Sequence, residues 1–117
     1  MRKFKERIKK IIIKPFPQEL TVVVTNDIRA SAKKRSKTHN IKVTEIAYAY
    51  TWLGTDCTEM LMVLPDKASL STIVHESVHV ISHTMKQNDV SFDDENWAYH
   101  IDDLFEQIAT FVHSWKK

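Results

Sequence analysis

Apolar positions recur along this chain with two periods, and the change from one to the other divides it. In the first part the apolar runs are short and rich in β-branched residues. Leu20-Thr21-Val22-Val23-Val24-Thr25 predicts a strand. Glu45 to Trp52 and Thr58 to Leu64 predict two more; the stretch between them holds the only glycine, Gly54, and predicts an antiparallel hairpin. After Pro65 the period lengthens. Leu70, Ile73, Val74, Val78, Ile81 and Met85 fall on one stripe of a helix capped by Ser69 and ending near Gln87, with Asn88 as terminator. Trp97, Ile101, Leu104, Phe105, Ile108, Phe111, Val112 and Trp115 make a second stripe, on a helix from near Asp93 to about Trp115. Its other face carries Glu95, Asp102, Glu106 and His113. The front is less decided. Phe4, Ile8, Ile11 and Ile12 have helical spacing, yet Ile11-Ile12-Ile13 suits an entry strand equally; Pro15 and Pro17 end either one. Asn26 or Asp27 then caps a polar helix reaching about Lys37.

This order predicts an α+β fold of one domain, residues 1–117. A small, largely antiparallel sheet of three or four strands lies under the last two helices. The single cysteine, Cys57, permits no intrachain disulfide and suits a reducing cytoplasm. No apolar run approaches a membrane span or a secretory signal. The net charge of +2 hides an asymmetry. Residues 1–42 hold thirteen Lys/Arg against Glu6, Glu19 and Asp27, a balance of +10; residues 43–117 hold four against twelve acids, a balance of −8. The basic part could meet nucleic acid, an acidic partner or a membrane surface, or it could complement the acidic half within the fold, the reading favoured here.

The chemistry lies in the first of the two late helices. His75-Glu76-Ser77-Val78-His79 is an H-E-x-x-H pattern. Histidines four apart stand about 6 Å apart along a helix axis, so both imidazoles can reach one metal ion. They point well away from the apolar stripe, so they are not core histidines. Glu76, about 100° round the helix from His75, can hold a water without being a ligand. Two nitrogen ligands, an open position and a carboxylate base form a zinc-hydrolase arrangement.

Zinc needs a third protein ligand. His83 continues the series but stands about 12 Å along the axis from His75, beyond the reach of bonds of about 2 Å. His100, His113 and the acidic group Asp93, Asp94 and Glu95 remain. Glu95 is the choice: it sits at the head of its helix, can lean toward a neighbour and avoids the apolar stripe, with Asp94 as fallback. Three acids at a helix start also suit the helix dipole without any metal.

Ser69 to His79 followed by Glu95-Asn96-Trp97-Ala98-Tyr99 resembles the minimal gluzincin-type metallopeptidases encoded by bacteriophages and prophages. There H-E-x-x-H is followed by E-x-x-A-Y at the head of a helix. The likeness covers about residues 45–110, within the site-bearing part 45–115, and leaves the basic 1–42 unmatched. It implies a zincin-like fold, one zinc ion on His75, His79 and Glu95, Glu76 as general base, and peptide hydrolysis in the cytoplasm of a bacterial host. Tyr99, one turn after Glu95, is the first candidate to stabilise the oxyanion, with His100 and His83 behind it. Asp102 could orient a ligand imidazole. Two other functions stay open: a protease of DNA-associated regulators, using residues 1–42, and a non-catalytic zinc-stabilised module that binds a host factor.

Overall fold

The computed structural model describes residues 3–14, 16–36, 49–53, 59–88 and 94–114, without the side chains of 94–96. The front segment resolves as a strand, β1 (Glu6–Ile12), antiparallel to β2 (Glu19–Thr25). Ile11 and Ile13 point into the core while Ile8 and Ile12 stay exposed, the alternation of a strand rather than a helix. α1 (Ile28–Arg35) follows, its first turn capped by Asp27, whose carboxylate accepts from the Ala30 N–H at 3.1 Å. β3 (Tyr50–Leu53) and β4 (Glu59–Pro65) pair antiparallel, as expected of the hairpin; residues 45–48 and the turn at Gly54 lie outside the described residues. α2 (Leu70–Gln87) and α3 (Asp94–His113) complete the chain. Ser69 caps α2 by accepting from the Thr72 N–H at 3.2 Å.

The sheet has four strands in the order β1-β2-β4-β3. Its outer pairings are antiparallel, as expected. The central one, β2 with β4, is parallel, so the sheet is mixed. Val22, Val23 and Val24, like Met60 to Leu64, are buried on both faces, the near-continuous apolar run of a parallel pair covered above and below. Leu20, Val22, Val24, Met60, Met62 and Leu64 meet α2 and α3 on one face. Val23, Leu61 and Val63 pack with Ile28, Tyr50 and Trp52 on the other.

The pairing aligns one rung across the whole sheet: Lys9, Val22, Met62 and Thr51. α2 and α3 run antiparallel over it. Asn88, capping the end of α2, donates from Nδ2 to Gln18 Oε1 at 2.7 Å, at the start of β2. Near that same end the His100 ring of α3 lies 5.5 Å from Phe16. At the opposite end Arg7 lies over the Phe111 ring at 4.9 Å and donates from Nη1 to Ser114 Oγ at 3.0 Å.

The face that α2 buries differs from the stripe expected of it. Ile73, Ile81 and Met85 are in the core, but Leu70 is 53% and Val74 39% exposed. In their place Glu76, Ser77, Val80 and Thr84 are buried. Ser77 and Thr84 fit there because their hydroxyls donate back to the carbonyls of Ile73 (2.7 Å) and Val80 (2.9 Å), so neither hydroxyl is left bare. The stripe of α3 agrees better with expectation: Leu104, Ile108 and Val112 are buried, and Trp97, Ile101, Phe105 and Phe111 pack against the core. Trp115 lies outside the described residues.

Candidate metal centre

Rotating the buried face of α2 toward Ser77 lifts His75 and His79 onto the exposed flank of the helix. Their Nε2 atoms converge to 3.3 Å, with the rings edge to face and centroids 4.9 Å apart. Two ring nitrogens at this distance share either a proton or a cation. Two ligands bonded at about 2.0–2.1 Å to a tetrahedral zinc stand about 3.3–3.4 Å from each other. The pair therefore already has the spacing of two ligands on one ion. His75 is 68% exposed at its side chain, so an ion can reach it from solvent.

Glu76 faces the other way, toward the sheet edge, and its side chain is only 9% exposed. Its Oε1 accepts a hydrogen bond from the Thr51 hydroxyl on β3. Its Oε2 lies 3.9 Å from His75 Nε2. The carboxylate thus sits beside His75, with Oε2 beyond hydrogen-bond distance of its Nε2.

The other candidates are distributed differently. Glu95 is in the first turn of α3, and its side chain lies outside the described atoms. The contacts of Asn88 with Gln18 and of His100 with Phe16 put the head of α3 and the end of α2 at the same end of the sheet. Thr51 at one end of the sheet rung touches Glu76. Lys9 at the other end lines a cavity of about 280 Å³ with Asp103, Glu106, Gln107 and Thr110. The stretch of α3 that meets Lys9 thus runs from Asp103 to Thr110. Among the described residues no third His, Cys, Asp or Glu joins the pair.

Tyr99 is 70% exposed and sets its ring edge against His100, 5.5 Å away, which in turn meets Phe16. These contacts belong to the end of the sheet where α2 stops. His83 lies half-buried on α2, with Nε2 unpartnered among the described residues. Burial, with the nearby Lys86 charge, holds its pKa below the usual histidine range, so it is a neutral ring at neutral pH. The residue that the sequence did not single out is Thr51. The alternation Tyr50, Thr51, Trp52 in a strand signals a polar side chain opposite two aromatic ones, and that was the available clue.

The basic front part is partly consumed inside the fold. Arg35 and Lys34 grip Glu6, and Lys10 pairs with Glu19 at 3.6 Å. Among the described residues no helix is long and apolar enough to cross a membrane. Comparison with protein-family models, with curated proteins and with solved structures finds no match.

Proposed function

We propose that this chain is a zinc-dependent metallopeptidase of the small phage- and prophage-encoded kind that its motif resembles, acting on peptide or protein substrates in a bacterial cytoplasm. The observation that carries this reading is the convergence of His75 and His79 to 3.3 Å with a buried carboxylate oxygen 3.9 Å from one of them. The donor set fits zinc: two imidazole nitrogens at tetrahedral spacing, with room for further ligands on an open flank. When bound, the ion would act as a Lewis acid, lowering the pKa of a water and polarising the scissile carbonyl.

The chain's own residues do the rest. His75 and His79 would hold the ion, and a carboxylate from α3 would complete the set: Glu95 by the resemblance. Glu76 would accept a proton at Oε2 from the attacking water as the water oxygen adds to the peptide carbonyl carbon. As the C–N bond breaks, Glu76 would return the proton to the departing nitrogen, leaving a carboxylic acid and an amine. β3 lies at the sheet edge beside Glu76, so a substrate in extended conformation can lie along it with its carbonyl near the base. Tyr99 keeps its proposed part as oxyanion donor only if the head of α3 closes over a bound substrate.

The test is Glu76→Gln, which keeps size and hydrogen bonding but cannot take the proton. The variant should bind about one zinc per chain, as the parent does, and lose hydrolysis of a peptide library by a factor of about 10² or more. Zinc bound at parent affinity with unchanged hydrolysis would exclude Glu76 as base. Zinc bound with no hydrolysis by the parent would leave a zinc-stabilised binding module.

A further inference from the structure

We propose that Thr51 is the positioning residue for Glu76: its hydroxyl, presented by the edge strand β3, anchors one carboxylate oxygen and directs the other at the histidine pair. This inference rests on the hydrolase reading for its catalytic consequence and on the structure alone for the contact.

A glutamate side chain has three torsions, and a base that samples them all spends little time at its water. Here two features remove that freedom. Burial against the sheet confines the stem of Glu76, and the Thr51 hydroxyl donates to Oε1. With Oε1 held, Oε2 is the oxygen left to face His75 Nε2, at 3.9 Å. The donor is itself well held. Thr51 is β-branched, with few rotamers, and its backbone pairs with Met62 on β4, one of the fully buried strands.

The arrangement depends on register. Tyr50 and Trp52 pack on the α1 face of the sheet, so Thr51 alone of the three looks toward α2. A slip of one residue in the hairpin would turn an aromatic ring onto Glu76 and carry the hydroxyl to the other face. Pairing of β3 with β4 thus sets the aim of the base on a different element.

The experiment compares Thr51→Val, which keeps the shape and removes the donor, with Thr51→Ser, which keeps the donor. Each is also combined with Glu76→Gln. Three quantities are read: zinc affinity, kcat and KM on the best library peptide, and the unfolding midpoint of the metal-free protein. Thr51→Val should lower kcat by about tenfold to a hundredfold, the usual effect of a reacting group displaced by a fraction of its length, with KM and zinc affinity within twofold of the parent. Thr51→Ser should recover most of kcat. In the Glu76→Gln background Thr51→Val should cost no further activity. The shifts in unfolding midpoint of Thr51→Val and Glu76→Ala, measured singly and combined, should be non-additive, since they remove the two ends of one contact.

Unchanged kcat in Thr51→Val, or a serine variant as impaired as the valine one, would overturn the positioning role. Additive midpoint shifts would overturn the contact itself, whether or not the protein hydrolyses anything. A parent with no hydrolysis would overturn the catalytic consequence together with the hydrolase reading; non-additive midpoints would then uphold the contact alone.

Discussion

Glu6 shows how one side chain can join two elements. Its carboxylate on β1 accepts from Ser31 Oγ at 2.8 Å, from Arg35 at 2.8 and 3.0 Å, and from Lys34 Nζ at 2.9 Å, all on α1. Burial alone would push its pKa up. The hydrogen bonds from Arg35, Lys34 and Ser31 outweigh that and bring it from 4.5 down to about 2. A carboxyl lowered on folding stabilises the fold above its unfolded value and loses that stabilisation as pH falls toward the folded one. Glu6→Gln should therefore cost about 2–3 kcal/mol near neutral pH, and the gap from the parent should close between about pH 4.5 and pH 2. Denaturant unfolding of both proteins across that range checks it; a gap independent of pH would mean that packing, not charge, makes the link. Nearby, burial pushes the Tyr50 phenol up to about 12, and its hydroxyl has no hydrogen-bond partner among the described residues. Tyr50→Phe should thus leave stability within about 0.5 kcal/mol of the parent or raise it, because only an unsatisfied group is removed.

Among elements, the instructive case is α2, whose existence, cap and end were legible from Ser69, the helical period and Asn88, but whose buried face was not. The apolar residues alone draw a stripe of Leu70, Ile73, Val74, Val78, Ile81 and Met85, of which Ile73, Ile81 and Met85 are buried. The real face includes Glu76, Ser77 and Thr84, made compatible with burial by bonds to Thr51, Ile73 and Val80 that hydrophobicity does not encode. The two faces predict different mutant costs. Ile73→Ala, at a fully buried position, should destabilise by about 2–5 kcal/mol, while Leu70→Ala, which the expected stripe treated as its equal, should cost less than about 1 kcal/mol. Equal losses would restore the expected face. β2 and β4 were legible because β-branched and long apolar side chains fill them. β1 was not decided, since three consecutive isoleucines fit either period. The parallel pairing of β2 with β4 was hidden for a different reason: α1 and β3 intervene, and no local signal reports which strand a distant one will join. The H-E-x-x-H triad needed none of this, because its geometry is internal to one helix. Glu95 and Tyr99 do depend on how two helices meet, and spacing along the chain says little about that.

At the scale of the molecule the question is whether metal binding and folding can be separated. His75 and His79 stand on an exposed flank and contribute nothing to the buried core of α2, α3 and the sheet. The metal-free fold should therefore not depend on them: His75→Ala and His79→Ala should unfold at the parent's denaturant midpoint when a chelator is present. Zinc changes the comparison. An ion that binds the folded chain and not the unfolded one stabilises it by about 2.7 kcal/mol at a hundredfold excess over Kd. The parent should show a gain of that order, and each histidine variant should lose it, because one imidazole without its partner 3.3 Å away offers no preformed pair. His83→Ala should retain the gain, being too far along the helix to share the ion. Glu76→Gln should also retain it, since that carboxylate lies beside the ion's place rather than at it. The third ligand is then read from α3. A reduced gain in Glu95→Gln would mean that the head of α3 leans back over α2, as the family resemblance requires. A reduced gain in Asp102→Asn, with Glu95→Gln unaffected, would place the ligand two turns further along α3. A zinc-dependent gain that survives in both histidine variants would remove the metal centre from this helix altogether.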